Sequence, residues 1–199
     1  MVVAMAPRTD PPTGSIRITD AQTLRVFAHP LRGSLLGVLR LDGPSTASKL
    51  AARFGESSGT TSYHLRQLAK YGFVEELPEE GDGRDRWWRA LHASTGFEVA
   101  DLLDDPAGRE AVAEIGHRQV GLQQRALAAY AAEMDDLDDE WQKATSLNDW
   151  SIRLSPDAAH ELAAELNEVL RRWHETRQEP DQPAVSVILD LIRLKEYPL

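Results

Sequence analysis

The chain has 199 residues, a formal net charge of −10 and 42% hydrophobic residues, which is typical of one large or two small globular domains. Because it contains no cysteine, disulfides, thiolate metal sites and a cysteine nucleophile are excluded. No apolar run is long enough to span a membrane and the N-terminus lacks the pattern of a signal peptide, so we expect a cytoplasmic protein without a membrane partner.

The negative charge is concentrated in the second half of the chain. Residues 1–95 carry twelve Lys or Arg against ten Asp or Glu, whereas residues 96–199 carry ten against twenty-two. Salt screens distant charges within about 8 Å at physiological ionic strength, so local charge decides whether phosphates are attracted. The acidic total therefore does not exclude a nucleic-acid partner.

The first half predicts four helices in succession. Residues 1–18 are rich in proline and poor in apolar residues, so we interpret them as a flexible N-terminal arm. A first helix is predicted after Thr19, and a second begins at Pro30, where a proline suits the first turn. Gly43-Pro44 then interrupts the chain, and Ser45 or Thr46 can cap a third helix.

The fourth predicted helix, residues 57–71, has two contrasting faces. Leu65 and Leu68 fall on an apolar face at helical spacing. The opposite face carries hydroxyl groups, a phenol, an imidazole and a guanidinium group, which are donors and acceptors able to read base edges in a major groove. A short glycine-containing turn joins the third and fourth helices, which is the helix-turn-helix pattern.

Two strand-like runs follow, FVEEL at 73–77 and RWWRAL at 86–91, separated by the glycine-rich loop 78–85. This pattern predicts a β-hairpin. A helix-turn-helix followed directly by a hairpin is a winged helix, which we assign to residues 19–95.

Three stretches, FAHPLRGSLLGVL, SKLAARFG and TTSYHLRQLAKYGFVEEL, together with the hairpin, resemble the ArsR-type (ArsR/SmtB) winged-helix transcriptional regulators. The resemblance implies a homodimeric DNA-binding regulator, in most cases a repressor, with helix 57–71 in the major groove and the wing 78–85 near the backbone or minor groove. Metal-sensing members carry a cysteine pair where this chain has SKLAARF, so we expect neither a metal site nor a cofactor.

Candidate contacts to double-stranded DNA come from the helix-turn-helix and the wing. Arg66 can pair with a guanine or bind a phosphate, and Lys49 and Arg53 are placed for backbone phosphates. His64 lies at the edge of the apolar face and could equally bridge the helix to its own hairpin. The candidates are Lys49, Arg53, Ser58, Thr60, Ser62, Tyr63, His64, Arg66, Arg84 and Arg86.

In the second half, residues 96–199, a connector with short helical patches is followed by a long predicted helix at about 107–140. Apolar residues recur at spacings of three and four along it, which favours a dimerisation helix over one packed on its own domain. The proposed dimerisation residues are Val120, Leu127, Tyr130, Met134 and Leu137.

A strand–helix–strand unit is predicted next, with strands at 148–154 and 184–194 and a helix at about 156–177. The second strand could pair with the first or elsewhere, including across a dimer. Four aromatic residues could line a pocket for a small-molecule effector of unknown identity, or could simply form the core: Tyr130, Trp141, Trp150 and Trp173. The predicted fold class is therefore α+β, mainly α.

No recognisable catalytic motif is present, so we do not expect an enzyme. The alternative to a DNA-binding regulator is a winged-helix module that binds proteins. The acidic total charge and the acidic loop 78–85 favour that alternative modestly.

Overall fold

A computed structural model describes residues 12–77, 86–177, 182–183, 185, 187–189 and 191–192. The chain divides into an N-terminal unit, Met1–Arg118, and a C-terminal unit, Gln119–Leu199. The predicted wing loop 78–85, including Arg84, and most of the predicted N-terminal arm lie outside the described residues.

The N-terminal unit contains the winged-helix elements in the predicted order, and the fold class is confirmed as mainly helical with small sheets. The elements are β1 Ser15–Ile18, α1 Ala21–Ala28, α2 Pro30–Leu41, β2 Ser45–Thr46, α3 Ala47–Phe54, α4 Ser58–Lys70, β3 Val74–Leu77, β4 Trp87–Ala90 and β5 Ser94–Phe97. The long helix α5, Pro106–Glu133, begins after a 3-10 turn at Ala100–Leu102 and continues into the C-terminal unit.

Side-chain caps fix where the short helices begin. Thr46 accepts a hydrogen bond from the amide of Lys49 at 3.2 Å, and Ser57 accepts one from the amide of Thr60 at 3.0 Å. Such caps satisfy amides that have no partner inside the helix. The first helix is capped by Asp20, one residue later than the predicted Thr19.

The wing strands belong to a three-stranded antiparallel sheet in the order β2-β4-β3. A separate parallel pair joins β1 to β5, with Ile18 opposite Phe97. Residues 15–18 therefore form a strand, although the sequence placed them in a flexible arm. Burial of Ile18, which is 1% exposed, compensates for ordering this segment.

One hydrophobic core holds the helices and the hairpin together. Leu65 and Leu68 of α4 are both fully buried in it, as the spacing of the helix predicts. Both Trp87 and Trp88 are also buried, at 2% and 3% exposure. Further core residues come from α1, α2, α3 and the segment after α4: Leu24, Leu35, Leu36, Leu39, Leu50, Phe73 and Val74.

Arg118 fastens α5 to the end of α1 within the N-terminal unit. Its Nη1 donates to the carbonyl of Phe27 at 2.6 Å and to that of Ala28 at 3.3 Å, and its guanidinium carbon lies 4.6 Å from the centre of the Phe27 ring. The last carbonyls of a helix lack partners inside the helix, and a cation satisfies them well.

Replacing Arg118 with alanine should lower the free energy of unfolding by about 1.5 kcal/mol, because two carbonyls lose a charged donor and Phe27 loses the group that covers it. Chemical denaturation followed by circular dichroism measures the change. Arg125→Ala, on an exposed part of the same helix, is the matched control and should change stability by less than about 0.5 kcal/mol. Equal effects of the two variants would contradict this role of Arg118.

The C-terminal unit contains the rest of α5, a 3-10 turn at Met134–Asp136, the short helix α6 Asp139–Ala144 and helix α7 Pro156–Thr176. The predicted long helix is thus interrupted, because Asp138 accepts hydrogen bonds from the amides of Glu140 and Trp141 and starts a new helix. Strands were predicted at 148–154 and 184–194. The structure forms no strand at 148–154 or at the described residues of 184–194, and both sheets contain only β1 to β5. No helix in the described part of the chain is long and apolar enough to cross a lipid bilayer.

Candidate nucleic-acid interface

Helix α4 is fixed by its apolar face and leaves a polar face open to solvent. Thr61, Leu65 and Leu68 are fully buried, and they lie at spacings of three and four along the helix. The exposed residues of α4 form what we call the recognition surface: Thr60, Tyr63, Arg66 and Lys70 lie away from the apolar face, and Ser58 is exposed at the N-terminal end of the helix.

The turn before α4 determines how the recognition surface is presented. Gly55 adopts a φ of +67°, which ends α3, and the chain enters α4 two residues later at the cap Ser57. The hydroxyl oxygens of Ser57 and Thr60 lie 2.8 Å apart, so Thr60 is held at the start of the helix. At the other end, Gly72 has a φ of +73° and directs the chain into β3.

Tyr63 and Arg66 project from the middle of the recognition surface. The Tyr63 side chain is 53% exposed, and Arg66 follows three residues later on the same side of the helix. A phenol and a guanidinium group at this spacing can donate to base edges and to phosphates. Ser62, also predicted as a contact, is half-buried beside them.

Three of the predicted basic residues outside α4 lie in the described part of the chain, and all three are engaged within the domain: Lys49, Arg53 and Arg86. The Lys49 ammonium lies 4.4 Å from the centre of the Trp87 ring. Arg53 forms an ion pair with Asp42, and Arg86 forms one with Glu76 at 3.2 Å. All four charged partners in these ion pairs are about 40% exposed or more, so such pairs are weak and can exchange for another anion.

His64 is a predicted DNA contact, but the structure buries its side chain. It therefore does not belong to the recognition surface. Its ring centre lies 4.5 Å from that of His29, and neither Nδ1 atom has a hydrogen-bond partner among the described residues. Burial lowers the pKa of His64, and the positive charge of Arg32 lowers it further, while Glu56 opposes them. Burial, Arg32 and His64 likewise lower the pKa of His29, against a smaller opposing effect of Glu114.

This neutral histidine pair should make the stability of the domain depend on pH. Because the folded-state pKa values lie below the ordinary value of about 6.5, the unfolded chain binds protons first as the pH falls. The contribution of the pair to the free energy of unfolding is therefore fully present well above the ordinary pKa and decreases as the pH falls through and below it. Denaturation midpoints measured across this range should fall less for His64→Phe than for the wild type, with the exposed His160→Phe as the control.

The residues predicted for dimerisation and for an effector pocket lie in the C-terminal unit. Val120 and Leu127 are about half exposed on α5, but Met134 and Leu137 lie beyond the end of that helix, so the helical row stops at Tyr130. A shallow cleft of about 250 Å³ is lined by Arg172, Trp173, Thr176 and Arg177 and includes none of the other three predicted pocket residues. In the described part of the chain, no three His, Asp or Glu side chains converge on a metal site.

Two residues of the interface were missed by the sequence analysis. Lys70 extends the recognition surface, and its position seven residues after Tyr63 could have revealed it. Asp42 is the partner of Arg53, and no local pattern connects these residues because one ends α2 and the other belongs to α3.

Comparisons with known proteins identify the segment that carries the recognition surface. Residues 27–76, which span α2 to β3, match a family described as a helix-turn-helix domain. The solved structure of a "possible transcriptional regulator for arsenical resistance" is 30% identical, and the match covers 62% of this chain and 97% of that chain, with a TM-score of 0.31. No curated protein shows significant similarity.

Two further solved structures are more distant in sequence. ZitR from Lactococcus lactis in its apo form is 16% identical over 71% of this chain and 83% of its own, with a TM-score of 0.33. The transcriptional regulator Tm0710 from Thermotoga maritima is 15% identical over 78% and 86%, with a TM-score of 0.32. By their match to the family model, residues 27–76 form a helix-turn-helix domain, the part of the chain that carries the recognition surface.

Proposed function

We propose that this protein is a cytoplasmic, sequence-specific DNA-binding transcriptional regulator that acts as a homodimer and represses its targets. The observation that supports this proposal most is the recognition surface of α4. Its apolar face is locked into the core, while Tyr63, Arg66 and Lys70 remain exposed on one side of the helix. A helix presented in this way can enter a major groove without refolding.

Base reading and backbone binding would be divided between elements. Arg66 and Tyr63 would contact base edges, and Ser58 and Thr60 would bind at the N-terminal end of α4, where helix amides favour phosphate. Lys49, Arg53 and Arg86 would bind backbone phosphates, which position the protein without specifying sequence. Arg53 and Arg86 would exchange their present carboxylate partners for phosphates.

The two-fold symmetry of the proposed dimer would place two such helices on one duplex. Val120 and Leu127 are exposed, lie seven residues apart on α5 and so can pack against the same row of a second copy. Two helices related in this way read half-sites about 10 base pairs apart.

Selection of bound duplexes from a random pool by the full-length protein tests this function. We expect enrichment of an inverted repeat, and we expect Tyr63→Ala to bind the selected duplex more weakly than the wild type. Failure to enrich any sequence, with no binding to duplex DNA at low salt, would contradict the proposal.

The competing function is a winged-helix module that binds proteins. It is supported by the ion pairs of Arg53 with Asp42 and Arg86 with Glu76, which leave less free positive charge near α4. A module of this kind would select no duplex and would show no salt-sensitive affinity for DNA.

The Arg53–Asp42 pair yields a separate prediction. Asp42→Asn should raise the affinity for any duplex by up to about fivefold, because Arg53 no longer gives up a carboxylate when it binds a phosphate. Fluorescence anisotropy with a duplex of random sequence measures the change. Glu168→Gln, which removes a partner of Arg171 on α7, is the control and should leave the affinity unchanged. A lower affinity for Asp42→Asn would contradict the exchange of partners.

A further inference from the structure

Two packed imidazole rings lie next to the recognition surface, and the proposed function does not use them. The ring centre of His29 lies 4.5 Å from that of His64, whose side chain is buried. The His64 ring also contacts the ring of Tyr63, with 5.2 Å between the centres and 73° between the planes. Because Tyr63 belongs to the recognition surface, the histidine pair is separated by a single ring from the groups proposed to read bases.

The backbone around His29 is held in place by three helices. His29 follows the end of α1 and precedes the proline that begins α2, and its ψ of 126° is in the range that a residue before proline prefers. Its carbonyl accepts a hydrogen bond from the amide of Gly33 at 3.0 Å. The preceding carbonyl, that of Ala28, accepts from the cation Arg118 of α5. His29 therefore cannot withdraw from His64 without disturbing the junction of these helices.

Charged groups face the histidine pair from three elements. Arg32 of α2 is fixed by hydrogen bonds to two carbonyls at the end of α1, and its positive charge adds to burial in lowering the pKa of both histidines. Glu56, in the turn before α4, opposes this effect on His64, and Glu114 of α5 opposes it on His29. Both carboxylates are exposed, so water and salt screen them more than they screen the buried rings.

Proton uptake changes the interaction between the two rings. In the neutral pair, neither Nδ1 atom has a hydrogen-bond partner among the described residues, and the rings pack as uncharged groups. A proton on either ring creates a partly desolvated cation near the guanidinium of Arg32, and a second proton places two like charges about 4.5 Å apart. Since the backbone of His29 is fixed, the repulsion is relieved by movement of the His64 side chain, on which the Tyr63 ring packs.

We infer that His29 and His64 form a proton-operated switch on the recognition helix: the neutral pair holds Tyr63 in the arrangement that reads bases, and the protonated pair displaces it. The inference rests on the proposed function, because the output of the switch is the affinity for a selected duplex. Proton uptake adds positive charge close to the DNA phosphates, so affinity for DNA of random sequence should not fall. Only the sequence-specific part of the affinity should decrease as the pH falls.

The pH dependence of specificity tests the switch in the full-length protein. If the selected duplex requires the neutral pair, each proton that must be released on binding lowers the affinity by up to tenfold for each pH unit below the pKa. Between about pH 7.5 and pH 5, we expect the ratio of affinities for the selected duplex and a random duplex to fall by about fivefold or more. Anisotropy titrations at constant ionic strength measure both affinities.

His64→Phe keeps an aromatic ring at this position but cannot take up a proton there. In this variant the affinity ratio should change by less than about twofold over the same pH range. The matched control is His160→Phe, on an exposed position of α7, which should respond to pH as the wild type does. A wild-type ratio that does not change with pH, or a ratio that falls equally in His64→Phe, would overturn the inference.

A second measurement needs neither a variant nor DNA. Nuclear magnetic resonance of the wild type follows the imidazole signals and the nuclear Overhauser effects between the rings of Tyr63 and His64 as the pH is lowered. We expect these effects to weaken with the same midpoint as the titration of the histidine pair, while circular dichroism shows that the helices remain folded. Effects between the two rings that persist after the pair is protonated would overturn the inference.

The outcomes separate this inference from the proposed function. If a duplex is selected and its affinity relative to random DNA is independent of pH, the regulator stands and the switch fails. If no duplex is selected but the Tyr63 ring leaves His64 as the pair is protonated, the DNA-binding function fails and the proton-driven displacement within α4 stands.

Discussion

Leu65→Ala should lower the free energy of unfolding by about 2–5 kcal/mol, one of the two largest effects that we expect. Leu65 is 0% exposed and lies at the centre of the face by which α4 is held against the core. Removing its side chain costs the transfer free energy of the lost methyl groups and leaves a cavity. Urea denaturation monitored by tryptophan fluorescence measures this loss, because the buried Trp87 and Trp88 belong to the same unit.

Leu41→Ala is the matched control for this substitution. Leu41 ends α2 and is 65% exposed, so the same chemical change there should alter the free energy of unfolding by less than about 0.5 kcal/mol. If both variants were destabilised equally, or Leu65→Ala were as stable as the wild type, α4 would not be anchored as described.

Arg66→Ala should weaken binding to a selected duplex by about 10- to 100-fold and relax the preference at one base pair. The expected loss corresponds to one good contact between an arginine and a base. Arg66 is exposed and remote from the core, so its replacement should leave stability unchanged. Anisotropy titrations with the selected duplex and with single-base variants of it measure both effects.

Arg66→Lys separates the two possible contacts of this residue. Lysine keeps the charge but loses the planar fork that pairs with guanine at two atoms. We expect Arg66→Lys to recover little of the lost affinity if Arg66 reads a base. Nearly full recovery would assign Arg66 to a phosphate, and no effect of Arg66→Ala would exclude it from the interface.

The helices and the hairpin of the N-terminal unit were predictable because their signals are local. The start of α2 follows from Pro30, that of α4 from its serine cap, and the end of α3 from Gly55. The helical spacing of Leu65 and Leu68 alone predicts that they lie in the core, and both are buried. Each of these inferences uses residues within one or two turns of each other.

Features that depend on distant residues could not be obtained in this way. The pairing of β1 with β5 joins residues about 80 positions apart, and each strand has only four residues. His64 is buried because His29, from the turn before α2, lies against it. The ion pair between Arg53 and Asp42 likewise depends on how α2 and α3 are packed, which no local pattern in the sequence specifies.

The C-terminal unit shows a different limit of sequence analysis. The patterns identified its amphipathic pieces, and α7 begins at Pro156 after the cap Ser155, close to its predicted start. The pattern shows which side of each piece is apolar but not what covers that side. A surface completed by a second copy leaves the same pattern as one completed within the chain.

The salt dependence of the affinity for the selected duplex tests the central claim most directly. Release of counterions makes log affinity fall linearly with log salt, with a slope of about −0.9 per phosphate contact. With the basic residues of two copies bound to phosphates, we predict that affinity falls roughly a thousandfold between about 50 and 200 mM salt. An affinity that stays constant over this range would contradict DNA binding through α4 and its neighbouring cations.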